Sequence, residues 1–427
     1  MIIKREDALS YFKYLVIYAA VLLILYASKF WPLSITNEWT LDSSLGDLES
    51  NLKWMRCSVI HGSAIYEITT PDGCGGYTYG FVFARFMGQL GINETYASEI
   101  RFLFFVLFLF ILALNSVYLE KQTSLKTYFI ALVLFSPPAW LSLIHGSLDI
   151  PVLFLINLAW ILAKRFYFIS FMLIALTCLM KYFTIALLFY LGFRIISTSS
   201  SNIKRFFVLS VTIFISINII IDYFRVDWSN PSYRIASGIF FVFGIESPIN
   251  WMLVIIKKLF NQEVILFNLT HKIGALIVFI ILLYIFYKGR RHFMQLISAQ
   301  HDSSKTNERE YFFDFSFHFL PLIVLFIQGQ NWDNKMIFLS TPALLTLNQL
   351  RKPFLVPFIC CAFYFTNFWP FSRDSFFFTL SQLIGDLSLY TILVVLTIHW
   401  LTSSELGRVL NSSFKIVKTR LNRSIAV

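Results

Sequence analysis

Apolar runs long enough to cross a lipid bilayer recur along most of this chain of 427 residues. A crossing helix needs about 20 consecutive apolar residues, because the hydrocarbon layer of a bilayer is about 30 Å thick. Only 14% of the residues are charged and 57% are hydrophobic, a composition that is too apolar for a soluble protein of this length. The sequence therefore predicts an all-α polytopic membrane protein.

The basic residues predict how these runs are oriented. Roughly 22 of the 35 Lys and Arg residues fall in short loops and tails on one side, which is the cytoplasmic side by the positive-inside rule. The same distribution explains the net charge of +11 and argues against nucleic acid as a partner. About twelve transmembrane helices with both termini cytoplasmic satisfy every marker. The predicted spans are 11–30, 101–118, 128–146, 149–163, 166–180, 182–196, 206–222, 272–287, 315–330, 336–350, 353–369 and 386–403.

The whole chain, 1–427, is predicted to form a single transmembrane domain with two long loops on the outer side. The first outer loop, 34–98, contains a predicted amphipathic helix from Asp47 to Ile60. The second outer loop, 223–271, contains another amphipathic segment. The apolar residues of the first helix recur at near-helical spacing and are Leu48, Leu52, Met55 and Ile60.

Three predicted hairpins are too short to span the bilayer. About 28 residues separate the inside markers Arg165 and Arg194, so each arm has about 14 residues and a length of roughly 20 Å. The turn near Lys181 then lies below the outer water surface. The hairpins around HGSLD, which ends at Asp149, and around GQNWDNK, which ends at Lys335, are similarly tight.

Charged groups at membrane depth persist only inside protein or beside a water-filled cavity. Three such apexes on one side therefore predict one shared polar cavity that opens outward. Arg225 and Arg234 of the second outer loop are available to bind a phosphate. The expected cavity residues are His145, Asp149, Lys181, Trp332, Asp333 and Lys335.

Two of the five cysteines, Cys57 and Cys74, share the first outer loop. If the outer side is an oxidising periplasm, we expect them to form a disulfide that closes a loop of about 18 residues and contributes about 3 kcal/mol. The other three cysteines lie in predicted spans and are expected to be packing residues. The sequence contains neither a metal-binding motif nor a Gly-rich phosphate loop, so we predict no metal and no cofactor.

The order of several segments resembles the GT-C superfamily of integral-membrane glycosyltransferases. These segments are GDLESNLKWMRCSVIHGSAIYE, CGGYTYGFVFARF, SPPAWLSLIHGSLDIPVLFLINLAWILAKR, LTCLMKYFTIALLFYL and NWDNKMIFLSTPALL. They are similar to segments of the bacterial polyprenyl-phosphate-mannose-dependent mannosyltransferases and of the transferases that convert O-antigen serotype. The resemblance covers residues 40–350 and rests on order and spacing.

The resemblance implies transfer of a hexose, of glucose or mannose type, from a polyprenyl-phosphate-linked donor to a glycan or glycolipid acceptor such as O-antigen of lipopolysaccharide. A first-loop carboxylate would be the catalytic base, which maps onto Asp47, with Asp42 and Glu49 as its rivals. Lys181 would hold the phosphate, where negative charge develops. The residues that would line the site or contact sugar are His145, Asp149, Trp332 and Asp333. Because the leaving group is already anionic and lipid-linked, no metal is mandatory.

Two other functions remain open. An O-antigen polymerase or ligase also uses lipid-linked sugar, although its large outer loop usually comes late in the chain. A flippase or transporter predicts internal two-fold repeats, and we find no matching halves. The Phe-, Ile-, Lys- and Asn-rich usage indicates an AT-rich bacterial gene, hence a multi-pass protein of the cell inner membrane whose site faces the periplasm. An endoplasmic-reticulum membrane with a lumenal site would obey the same physics.

Overall fold

The computed structural model describes residues 13–14, 16–20, 46–63, 74, 80–120, 136, 142–143, 146–225, 242–243, 247–260, 269–288, 308–328, 331–332, 338–339, 355–365 and 376–403. This part of the chain is almost entirely helical. Its α-helices are α1 (Gly46–Ile60), α2 (Phe81–Gln89), α3 (Ala97–Glu120), α4 (Asp149–Ala163), α5 (Tyr167–Met180), α6 (Ile185–Thr198), α7 (Asn202–Arg225), α8 (Ser247–Phe260), α9 (Leu269–Lys288), α10 (Glu308–Gln328), α11 (Leu355–Phe365) and α12 (Phe376–Ser403).

Helices occupy most of the predicted spans. Within the described residues, three stretches are long and apolar enough to cross a bilayer, namely Glu94–Ser116, Asn202–Arg225 and Thr379–Leu401. Shorter apolar stretches of 10–17 residues lie in α4, α5, α6, α8, α9 and α10. The chain is therefore a helical protein with membrane-spanning character, whereas the number of twelve crossings stays a prediction. The predicted spans 11–30, 128–146 and 336–350 lie largely outside the described residues.

The observed helix boundaries follow the sequence most closely in the middle of the chain. Helix α4 has the predicted limits, because the polar HGS before it and Lys164 after it mark both ends. Helix α12 begins at Phe376, well before the predicted start at residue 386. The added turns contain polar residues that are buried within the protein, among them Thr379 and Gln382.

Three consecutive helices have the short lengths that the spacing of basic residues requires. Helix α4 has 15 residues, and α5 and α6 have 14 each. At about 1.5 Å per residue each is roughly 21–22 Å long, well short of the hydrocarbon thickness. Helices α4 and α5 pack together, as do α5 and α6, so the chain doubles back at Lys164 and again at Lys181.

The first outer loop contains two helices that pack against each other. In α1 the predicted apolar face is buried at Leu48, Leu52 and Met55. Ile60, the last residue of the helix, is 62% exposed. Helix α2 was not predicted, since its nine residues, FVFARFMGQ, are too few to show a helical period.

The second outer loop carries the predicted amphipathic helix, α8, which ends at Phe260 as expected. Asn250, Trp251 and Val254 of α8 are buried, and the helix packs against α12. A two-residue strand before it, β1 (Val242–Phe243), pairs antiparallel with β2 (Asn331–Trp332). This pairing joins the second outer loop to the apex of the third short hairpin.

Two helices present rows of apolar side chains to the outside of the protein. Only 22% of the spanning window of α7 is buried, against 67% of that of α12, so α7 lies at the periphery and α12 in the interior. Such exposed apolar rows are compatible with a lipid surround and unfavourable in water. The exposed apolar residues of α7 include Phe206, Leu209, Ile213, Phe214, Ile217, Ile220 and Phe224, and those of α9 include Ile273, Ile277, Ile281 and Tyr284.

Candidate functional site

A buried ion pair joins the apexes of the first and second short hairpins. The ammonium Nζ of Lys181 lies 3.5 Å from Oδ1 of Asp149, and both residues are buried, with 4% and 1% of their surfaces exposed. The hydroxyl of Ser147 donates a 2.8 Å hydrogen bond to the other oxygen, Asp149 Oδ2. Within the described part of the chain, Asp149 Oδ1 accepts no hydrogen bond. This carboxylate oxygen therefore keeps hydrogen-bonding capacity beside a buried cation.

Local backbone geometry places Lys181 at the apex. Helix α5 ends at Met180, and Lys181 adopts an extended conformation with φ −146° and ψ 123°. A single 3₁₀ turn, Tyr182–Thr184, then leads into α6. The hydroxyl of Thr184 donates to the Lys181 carbonyl at 3.1 Å. The break in the helix thus turns the lysine toward the start of α4 instead of leaving it on a helix face.

The beginning of α1 packs directly on the first apex. Gly146 has a φ of +61°, which favours glycine, and a Cβ added there would lie 2.8 Å from Cβ of Leu48. Leu48 is fully buried and stands between Asp47 and Glu49 in the first turn of α1. The start of α1, which carries two candidate bases, therefore lies beside the HGSLD turn. Gly146 of this turn is three residues before Asp149.

A second buried carboxylate, Asp222 on α7, holds the region next to Lys181. Its Oδ2 accepts a 3.1 Å hydrogen bond from the Tyr182 hydroxyl and a 3.2 Å hydrogen bond from the Phe81 backbone N–H. Gly80 packs tightly on α5 at this point, since a Cβ added to it would collide with the Leu179 carbonyl oxygen. Helix α7, the second apex and the start of α2 meet at one carboxylate.

The third apex lies next to the second. The rings of Phe183 and Phe338 are 5.1 Å apart in an edge-to-face arrangement. Trp332, in β2, pairs with Val242 of the second outer loop. The Asp149–Lys181 pair and the Phe183–Phe338 contact together bring the described parts of all three short hairpins to one region.

The predicted site residues are placed as follows. Asp149 and Lys181 contact each other, and Asp47 lies in the first turn of α1 next to their apex. Glu49 is exposed. Arg225 is an exposed residue at the end of α7, with its guanidinium carbon 5.9 Å from the centre of the Phe81 ring. The predictions for Asp42, His145, Arg234, Asp333 and Lys335 fall outside the described residues.

Some polar groups that pair between helices were missed by sequence reasoning. Asp222 and Tyr182 belong to the region around Lys181, and the signal for Asp222 was an isolated acid in the apolar run INIIIDYF. A further group lies at the opposite end of α4, where Asp314 accepts a 2.7 Å hydrogen bond from the Trp160 indole N–H. The Lys164 ammonium is 3.6 Å from the same carboxylate. This group ties α4 to α10 far from the apexes.

Cys57 and Cys74 form a disulfide, with their Cα atoms 5.8 Å apart. Both are buried, and the bond connects the last turn of α1 to the segment that precedes α2. The free cysteines are Cys178, which is buried, and Cys360 and Cys361, which are half-buried. The disulfide therefore ties the last turn of α1 to the segment that precedes α2.

Within the described residues, no group of three or more His, Cys, Asp or Glu side chains is arranged to hold a metal ion. The cationic group at the apexes is instead a lysine. In comparisons with known proteins, no family model, no curated protein and no solved structure matches this chain.

Proposed function

We propose that this chain is a membrane glycosyltransferase of GT-C type that moves a hexose from a polyprenyl-phosphate-linked donor to a glycan or lipid-linked glycan. In this proposal it is a hexosyltransferase of the bacterial inner membrane, and its site faces the periplasm. The observation that carries the proposal is the buried Asp149–Lys181 pair, with the start of α1 packed on the Gly146 turn beside it.

Two buried groups of the apex region support this proposal. A lysine in a poorly hydrated place is suited to hold the phosphate, whose charge increases as the polyprenyl phosphate leaves. Asp149, whose Oδ1 is 3.5 Å from the Lys181 ammonium, would orient the lysine before the donor binds. The donor phosphate would then share the lysine with the carboxylate, at the end of helices that are shorter than the hydrocarbon layer is thick.

The proposed step is a direct displacement at the anomeric carbon. A first-loop carboxylate, Asp47 with Asp42 and Glu49 as rivals, takes the proton of the acceptor hydroxyl. The hydroxyl oxygen forms a bond to the anomeric carbon, and the bond from that carbon to the phosphate oxygen breaks. Polyprenyl phosphate leaves with the electron pair beside Lys181. The sugar contacts would come from His145, Trp332, Asp333 and Lys335, and further phosphate contacts from Arg225 and Arg234.

The test is a transfer assay in membranes that contain single variants. We expect the variant that removes the base, among Asp47→Asn, Asp42→Asn and Glu49→Gln, to lose a factor of about 10²–10⁴ in rate. Lys181→Met should lose about 10²–10³, because a donor to the developing charge is gone. Glu94→Gln is the matched control, since Glu94 is an acid of the same loop that pairs with Arg56 at the surface. Full activity in all four site variants would refute the proposal.

The same membranes separate the two other functions. A polymerase or ligase would accept a diphosphate-linked oligosaccharide and leave a monophosphate-linked hexose unused. A flippase would move labelled lipid-linked sugar across the membrane without forming a glycosidic bond. Either result, in place of hexose transfer, would replace the proposed function.

A further inference from the structure

We infer that Asp222 is a positioning residue, which fixes the start of α2 to the second apex and so holds Lys181 in place for the donor phosphate. This inference rests on the proposed function and adds a residue to its site. The resemblance in the sequence gives Asp222 no role, and the residue lies in a predicted span rather than in a loop.

Asp222 is an ionisable group at a position where such groups are costly. Asp222 is 4% exposed and belongs to the most peripheral of the described membrane-spanning stretches, whose window is only 22% buried. An ionisable side chain at such a position is unfavourable unless it is satisfied by partners. Here one oxygen, Oδ2, accepts two hydrogen bonds from segments that are 40 and 141 residues distant in sequence. The carboxylate thus joins parts of the chain that no local interaction would bring together.

The two hydrogen-bond donors to Asp222 belong to the second apex and to the start of α2. Tyr182 directly follows Lys181, and its hydroxyl bond to Asp222 restrains the 3₁₀ turn that presents the lysine. Phe81 is the first residue of α2. The backbone N–H groups at the start of a helix have no partners inside the helix. Asp222 satisfies one of them, as a capping side chain would, although it comes from another helix.

The residue before α2 also packs closely against the end of α5, next to the same apex. Gly80 touches the Leu179 carbonyl so closely that no side chain fits between them, and Leu179 is two residues before Lys181. The guanidinium carbons of Arg85 and Arg225 lie 5.8 and 5.9 Å from the centre of the Phe81 ring. The start of α2 is therefore held by contacts that involve the residues before and after Lys181.

The kinetic test compares Asp222→Leu, which removes the acceptor, with Asp222→Asn, which keeps an acceptor oxygen of the same size. We expect Asp222→Leu to raise the donor KM about tenfold, with the acceptor KM within about twofold of wild type, because the phosphate-binding lysine is displaced. Asp222→Asn should stay within about threefold. Tyr182→Phe should give an intermediate donor KM, since it loses one of the two hydrogen bonds described for Asp222.

A purely structural role would give a different result. Loss of folded protein lowers Vmax and leaves the KM of the remaining enzyme unchanged. Thr212→Val is the matched control, because Thr212 is a buried residue of the same helix whose hydroxyl bonds only within that helix among the contacts described. An unchanged donor KM in Asp222→Leu, or an equally raised one in Asp222→Asn, would overturn the inference.

A second measurement does not depend on activity. Hydrogen exchange of the full-length protein in detergent reports on the Phe81 amide through peptides that cover the start of α2. We expect exchange there to rise more than tenfold in Asp222→Leu and to stay near wild type in Asp222→Asn and Thr212→Val. Unchanged exchange in Asp222→Leu would overturn the anchor. A wild-type protein that transfers no sugar would refute the proposed function, and exchange alone would then decide whether the anchor exists.

Discussion

Two ion pairs of the outer region differ in burial, and this difference sets their expected energetic weight. Arg56 and Glu94 make the shorter contact, 2.7 Å, but their side chains are 46% and 35% exposed. Lys181 and Asp149 are 3.5 Å apart and nearly fully buried. An exposed pair contributes about 0–1 kcal/mol, whereas the loss of one partner from a buried pair leaves an uncompensated charge. Distance alone would rank the two pairs in the wrong order.

We therefore predict that Asp149→Asn and Lys181→Met each lower the free energy of unfolding by about 3–5 kcal/mol. The double variant should be less destabilised than the sum, because the direct interaction between the two side chains is then lost only once. Unfolding in detergent, followed by denaturant titration, measures all three. Glu94→Gln, the exposed control, should change stability by less than about 1 kcal/mol. Additive effects of the two buried substitutions would contradict a direct pairing.

At the scale of elements, sequence reasoning succeeded where local signals decide the outcome. The limits of α4 follow from flanking polar residues, and the buried face of α1 follows from its period. It failed where tertiary contacts decide. The pairing of Val242 with Trp332 joins segments about 90 residues apart, and nothing local in either segment predicts it. The same holds for the bond from Phe81 to Asp222, since an acid in an apolar run signals a partner but not which one.

The disulfide is the covalent constraint on the element that carries the candidate bases. Cys57 and Cys74 are 17 positions apart, so the bond closes a loop that in the chain-entropy model contributes about 3 kcal/mol. Mild denaturation would expose the buried sulfurs, so that the disulfide can be reduced and the thiols blocked before refolding. We predict that the protein refolded in this way has a lower melting temperature than the oxidised protein. The variant with both Cys57→Ser and Cys74→Ser should melt like the reduced protein and be insensitive to reductant. Identical melting of oxidised and reduced wild type would show that the bond adds no stability.

For the whole molecule, the distribution of charge predicts which ends of the helices face the cytoplasm. The first outer loop and the connection between α6 and α7 should lie on opposite sides, because the short α6 runs from the second apex to that connection. Lys204 and Arg205 lie in the first turn of α7, and these basic residues favour a cytoplasmic location for the connection.

We predict that a membrane-impermeant maleimide labels Glu49→Cys in intact cells and labels Ser200→Cys only after the cells are permeabilised. Both positions are exposed in the protein, so access depends on the side of the membrane and not on burial. The wild-type chain is the control for labelling of its free cysteines, which are buried or half-buried. Equal labelling of both variants in intact cells would contradict the predicted topology.

The short lengths of α4, α5 and α6 have a consequence for the surrounding lipid. Helices of about 21–22 Å meet a hydrocarbon layer of about 30 Å, and such hydrophobic mismatch is relieved by local thinning of the bilayer or by neighbouring protein. A dent in the outer leaflet would let a headgroup approach the lysine sideways while its long tail stays among the acyl chains. Under the proposed function, sugar transfer would then depend on membrane thickness, and vesicles of longer-chain phospholipids would slow it without any change in the protein's side chains.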